Sequence, residues 1–187
     1  MSTFQRQKTG NTVVDLIDTV MDSMCLAHLN TSNLPEEMLE FEPDWSSPKM
    51  RHFLSNMCAH EGMVYFECGI ARGSTLIPAM YDNNITTYAC DLWLETKLGT
   101  DAKEKFIKNL EKYRSHLGDC EDLTLFDGSC WDILTHKDIF KKKPNILFYD
   151  AGHSAEDHRR AWTYFLPIMA DNFILVIDDY NDNRVVE

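Results

Sequence analysis

The stretch Met63-Val64-Tyr65-Phe66-Glu67-Cys68-Gly69-Ile70-Ala71-Arg72-Gly73-Ser74-Thr75 decides the fold. A short apolar run ends on an acid and passes into a turn with two glycines four residues apart. Glycine accepts positive φ and lets the backbone approach a ligand closely, and Ser74 is placed to start a helix whose free N–H groups face the turn. The pattern predicts a strand, a tight turn and a helix. A βα turn with no ligand would use the same two glycines, so the surroundings must decide what the turn is for.

Four further apolar runs also end on acids: Thr86 to Asp91, Leu123 to Asp127, Asn145 to Asp150, and Phe173 to Asp178 with Asp179 behind it. Helical signals separate and precede these runs. Thr12 to Leu29 places Val13, Ile17, Val20, Met21 and Met24 on one face, with Thr12 and Asp15 at capping-box spacing, and so predicts an amphipathic opening helix. Ser47 ahead of Pro48 predicts a second helix start, followed by the stripe Met50, Phe53, Leu54 and Met57, which reads as core. Thr100 is placed to cap a helix carrying Phe106, Leu110, Tyr113 and Leu117 on one face. Ser154 and Asp157 repeat the capping-box spacing ahead of Trp162, Phe165, Leu166 and Met169.

Alternating strands and helices predict right-handed crossovers and a mainly parallel sheet covered on both faces. The fold class is therefore α/β, a Rossmann-like doubly wound three-layer sandwich. The unbroken apolar runs Ile146-Leu147-Phe148 and Phe173-Ile174-Leu175-Val176-Ile177 fit strands buried on both sides. Ligands of such sheets bind outside the carboxyl ends of the strands, so the row of terminal acids marks the expected site.

Composition narrows the function classes. The 187 residues, 44% hydrophobic, suit one globular domain, with a helical cap and loop over 1–60 and a sheet core over 61–187. A formal net charge of -12 disfavours a protein that grips nucleic-acid phosphates. The one basic run, Lys141-Lys142-Lys143, reads as a solvated loop. The expected partner is a small-molecule substrate, with no nucleic acid and no membrane. Cys25, Cys58, Cys68, Cys90, Cys120 and Cys130 lack paired spacing and read as reduced, mostly buried thiols of a cytosolic protein, not as a zinc site. Met1 to Asn11 lacks the apolar stretch of a signal peptide and no segment has the length to span a bilayer, so a cytoplasmic location is expected. Asn30 to Ser47, rich in turn formers and acids, predicts a loop able to cover a site, and Trp93 to Gly99 a second one.

Taken together, Met63 to Asp91 resembles motif I and the following strand of class I S-adenosylmethionine-dependent methyltransferases, whose loop reads acid-x-Gly-x-x-x-Gly-Ser. The later segments Phe148-Tyr149-Asp150-Ala151-Gly152-His153-Ser154 and Ile177-Asp178-Asp179-Tyr180-Asn181 look most like the small-molecule O-methyltransferases related to macrocin O-methyltransferase. The resemblance spans roughly residues 45 to 187.

It implies S-adenosylmethionine as cofactor and methyl transfer to a hydroxyl of a small molecule. Glu67, Gly69, Ala71, Gly73 and Ser74 would surround its methionine part. Asp91 would accept the ribose hydroxyls, as an acid does at the equivalent place in dinucleotide folds. Asp127, Gly128 and Ser129 would lie by the adenine, where Trp131 either stacks or belongs to the core. In metal-dependent relatives, acids at the positions of Asp150, Asp178 and Asp179 hold a hard divalent ion such as Mg²⁺, which orients the acceptor and eases its deprotonation. The alternative is that Asp150 and Asp178 bond loop backbone while Asp179 faces solvent.

Two departures from the family pattern stand out. Relatives often read Asp-Gly-Asp-His where this chain has Asp150-Ala151-Gly152-His153, so a carboxylate base is missing. His153, with an ordinary pKa of about 6.5, takes its place beside Asp150 as the candidate catalytic pair, or else packs or caps. Relatives also add an antiparallel hairpin after the fifth strand, whereas this sequence stops at Glu187. The open sheet edge is then expected to pair with another subunit or to belong to a trimmed domain. Two other functions stay in view, a non-catalytic binding module and a nicotinamide-dependent oxidoreductase, the latter without its G-x-G-x-x-G fingerprint. Cleavage of the cofactor itself has no motif in its favour.

Overall fold

In the computed structural model, residues 10, 12–40, 46–93, 101–118 and 122–180 are described. Thr100, Cys120, the tip of the 30–47 loop at 41–45, most of the 93–99 loop and the segment 181–187 lie outside them. Five parallel strands follow the apolar runs within one residue: β1 (Val64–Cys68), β2 (Thr86–Asp91), β3 (Leu123–Asp127), β4 (Ile146–Tyr149) and β5 (Ile174–Ile177). Their order is β3-β2-β1-β4-β5, with every pairing parallel. The expected Rossmann-like, doubly wound sheet is present.

The helices are α1 (Thr12–His28), α2 (Glu36–Leu39), α3 (Pro48–Cys58), α4 (Leu76–Met80), α5 (Ala102–Lys112) and α6 (Ala155–Tyr164), with a 3-10 segment at Cys130–Ile139. Successive strand residues point to opposite faces, and this sorts the interior into two layers. Tyr65, Ala89, Ile146 and Phe148 meet Leu54, Met57, Ile77 and Phe106 on one face. Phe66, Tyr88, Leu147 and Tyr149 meet Ile133, Ala161 and Phe165 on the other. Each such side chain contributes about 1.5–3 kcal/mol through burial, so these layers supply most of the drive that holds the strand ends in place.

Local signals set the helix starts. The Ser47 side chain accepts from the Met50 N–H at 3.2 Å with Pro48 leading α3. Ser154 and Asp157 form both halves of the capping box ahead of α6. Ser74, expected to open a helix, stands two residues before α4, which has five residues and follows Thr75.

The structure corrects three packing expectations. In α1 the buried face is Leu16, Thr19, Ser23 and Ala27, whereas Val13, Ile17, Met21 and Met24 are exposed. The polar row Lys49, His52 and Asn56 of α3 explains the rotation. Lys49 Nζ donates to the carbonyls of Ala27 and His28 at the end of α1, Asn56 donates to the Thr31 carbonyl, and His52 bonds Ser32. These bonds fix the helix by its small-residue side, so its apolar stripe faces a groove of about 440 Å³ lined in part by Phe173 and Ile174. That groove sits at the amino end of β5, away from the strand ends that carry the acids.

Secondly, all four β5 residues are half-buried, because β5 is the edge strand among the described residues. Thirdly, α6 ends at Tyr164, and the turn after it buries Phe165 and Met169 while leaving Trp162 and Leu166 exposed. Cys58, Cys68, Cys90 and Cys130 are buried free thiols, and Cys25 is exposed. No helix among the described residues is long and apolar enough to cross a membrane.

Candidate active site

The strand order reverses between β1 and β4, and in sheets of this kind ligands bind beside the carboxyl ends at that point. The residues just past the strands keep the ladder going. Gly69 N–H donates to the Cys90 carbonyl at 2.9 Å, Gly128 to that of Asp91 at 2.9 Å, Asp150 to that of Cys68 at 2.8 Å, and Asp178 to that of Tyr149 at 3.0 Å. All the loops therefore leave the sheet at one level.

The turn after β1 is left-handed at every second residue: Gly69 at φ 90°, Ala71 at φ 48° and Gly73 at φ 85°. A Cβ on Gly69 would lie 1.9 Å from the Asp150 carbonyl oxygen, so only glycine lets the β1 and β4 loops touch. Ala71 holds a conformation that disfavours side chains, and its surroundings must enforce it. Asp91 does so from the end of β2. Its Oδ2 accepts from the Ile70 and Ala71 N–H groups at 2.7 and 2.8 Å, and its Oδ1 from that of Trp93 at 2.6 Å. The acid placed for a ribose also braces the glycine turn.

Glu67 points the other way. It is fully buried, and its two oxygens accept from Tyr65 Oη at 2.6 Å and Thr75 Oγ1 at 2.7 Å. Burial raises its pKa from 4.5 to about 8, outweighing the two hydroxyls, which favour the ionised form. Further along the rim, Asp127 is exposed and pairs with Lys103. Ser129 caps the 3-10 segment through the Trp131 N–H. Trp131 itself stacks on Phe165 and meets Tyr149 and Tyr164, which places it in the core.

The β4 and β5 ends bring the remaining acids together. Burial, and then the neighbouring Asp178 and Glu67 charges, push the Asp150 carboxyl well above the usual range. Asp178 is raised by burial and by Asp179, and receives a hydrogen bond from Asp150. His153, about half exposed, lies between two acids, with Nε2 3.9 Å from Asp150 and Nδ1 3.9 Å from Asp179. Behind it His158 is 2% exposed, has no hydrogen-bond partner on either ring nitrogen, and stacks on Tyr180. Burial lowers its pKa, as does His153.

The expected metal set of Asp150, Asp178 and Asp179 does not fit this geometry. Among the described residues no group of three or more His, Cys, Asp or Glu is arranged to hold a metal ion. Asp150 and Asp178 are joined by a hydrogen bond, while Asp179, at φ 52°, lies 3.9 Å from His153 Nδ1.

Several participants escaped the sequence. Tyr65 and Thr75, the partners of Glu67, had a signal: Tyr65 lies two residues from Glu67 and so on its face of β1. His158, one helical turn beyond the Ser154 cap, had none. Nor did Arg51 and Ser46, which reach the turn from α3 and the chain before it.

No family model matches the chain, and no curated protein matches it in sequence. Solved structures resemble it in fold. An O-methyltransferase from Bacillus cereus in complex with S-adenosylhomocysteine (SAH) aligns at a TM-score of 0.58 and 13% identity, over 89% of this chain and 76% of that one. The SAH-bound methyltransferase PaMTH1 of Podospora anserina gives 0.56 and 14%, over 94% and 73%. A precorrin 8W decarboxylase from Methanobacterium thermoautotrophicum gives 0.54 and 16%, over 77% and 70%. At such identities the likeness establishes a Rossmann-like fold.

Proposed function

We propose that this protein is an S-adenosylmethionine-dependent methyltransferase acting on a hydroxyl of a small molecule. The observation that carries the reading is the joint made by the left-handed turn 69–73 and the Asp91 carboxylate at the strand-order reversal. A turn of this shape beside a strand-end carboxylate supports a nucleoside with a short charged tail as the ligand. Gly69, Ala71, Gly73 and Ser74 would line the methionine part, and Asp91 the ribose. When bound, S-adenosylmethionine supplies a methyl carbon on a sulfonium, open to attack by an acceptor oxygen.

The chain's own contribution to that attack is positional and protolytic. His153 sits at the rim with an acid 3.9 Å from each ring nitrogen, so Asp150 can help orient the imidazole and Asp179 can stabilise it once it takes the acceptor proton. No step is assigned to Mg²⁺, because the acids do not form its site. One observation favours a second reading, a non-catalytic binding module: Gly152 stands where the family pattern carries an acid.

Calorimetry with SAH, with NAD as control, tests the cofactor assignment, with SAH binding expected and NAD inert. Mass spectrometry of methylated hydroxyl compounds then separates enzyme from module. His153→Ala is expected to lower turnover about 10²-fold or more while leaving SAH affinity unchanged. Intact turnover in that variant would remove His153 as the base.

A further inference from the structure

Arg51 is fully buried in α3, far in sequence from the glycine turn, yet it is wired to it. Its Nε donates to Ser46 Oγ at 2.9 Å, its Nη2 to the Ser46 carbonyl at 2.8 Å, and its Nη1 to the carbonyls of Leu39 at 2.6 Å and Met38 at 3.4 Å. One planar fork therefore holds the chain at the end of α2 and the chain just ahead of α3 at once. A lysine, with a single ammonium, could not match those directions.

Ser46 passes the connection on. Its hydroxyl donates to Ser74, whose Oγ lies at 3.3 Å and whose carbonyl oxygen lies at 3.4 Å. A hydroxyl that accepts from a guanidinium is a better donor to its next partner, so the two bonds reinforce each other. Ser74 directly follows the left-handed Gly73, and Thr75 beyond it is tied to Glu67. The turn is thus gripped on its far side by the amino-terminal cap, as Asp91 grips its near side.

We propose that Arg51 is a positioning residue for the cofactor, acting through Ser46 and Ser74 to hold the glycine turn in its binding conformation. The inference rests on the cofactor reading above. It makes affinity for the cofactor depend on a cap segment that has no motif of its own. Because the clasp shapes the turn and lies away from His153, its loss acts on cofactor affinity and KM, not on kcat.

The test is SAH calorimetry on the full chain, for the wild type, Ser46→Ala, Ser74→Ala, the double variant and Arg51→Lys, each with a thermal melt. Ser46→Ala and Ser74→Ala are each expected to weaken SAH about 3- to 10-fold, in line with the loss of one hydrogen bond. The double variant is expected to be no weaker than the worse single, since both remove the same link. Arg51→Lys is expected to weaken SAH at least as much as Ser46→Ala, with kcat at saturating cofactor unchanged. If Arg51→Lys does not fold, the serine cycle still decides. Wild-type affinity in Ser46→Ala, or fully additive losses, overturns the clasp while the cofactor reading stands. A wild type that does not bind SAH overturns both.

Discussion

The two halves of the strand-end rim use the same residue type in opposite ways. At the β1–β2 end Asp91 is an acceptor for three backbone N–H groups and holds a turn in left-handed conformations. At the β4–β5 end Asp150 is buried and crowded by Asp178, Glu67 and Asp179, which push its carboxyl above the usual range. An aspartate at the end of a parallel strand is a brace where N–H groups converge on it, and an acid where carboxylates do.

Breaking the contact between the halves should have the largest effect. Gly69→Ala drives a methyl group into the Asp150 carbonyl and demands positive φ of an alanine, so a loss of at least about 3 kcal/mol is expected in urea unfolding. A loss below 1 kcal/mol would mean that the two loops separate freely.

Glu67 gives the next effect, read as a pH dependence. Its pKa is raised in the folded state, so the native protein binds more protons than the unfolded chain between 4.5 and about 8. The stability this group contributes is complete below 4.5 and is lost as pH rises through about 8. Glu67→Gln should flatten the fall of stability over pH 5–8 by up to about 1.4 kcal/mol per pH unit. An unaltered slope would show that the carboxyl ionises freely inside the core.

A matched pair of amides sharpens the comparison itself. Asp91→Asn turns an NH₂ toward a backbone N–H and should cost about 1–3 kcal/mol, with weaker SAH binding. Asp150→Asn keeps a donor toward Asp178 and removes a carboxyl whose ionisation burial and its neighbours disfavour, and should change stability by less than about 1 kcal/mol. Equal costs in chemical denaturation would erase the distinction between the halves. The smallest expected effect is that of Ala71→Gly, which relieves the φ 48° conformation and should stabilise by about 0.5–1 kcal/mol in the same assay.

Much of the molecule was legible beforehand, for identifiable reasons. The strands came out within a residue because apolar runs closed by acids report on period and on exit from the core together. The Ser154–Asp157 capping box and the Ser47-Pro48 start are local devices, complete within four residues. The face of α1 was misread because hydrophobicity alone cannot tell a buried stripe from one left outside. Three polar residues of α3 decided the matter by bonding the helix end. The metal set finds no support among the described residues, since spacing places three acids on neighbouring strand ends but says nothing of how their carboxyls turn.

By itself, then, the sequence determined the parallel sheet, the location of its rim and the glycine turn at the first strand, since each depends on residues near one another in the chain. Tertiary structure alone decided which acids are charged, which residues grip the turn and which face of α1 meets water. Those outcomes depend on local dielectric and on partners brought from other elements, such as Arg51 on Ser46 and Asp178 on Asp150, which no reading of neighbours along the chain contains.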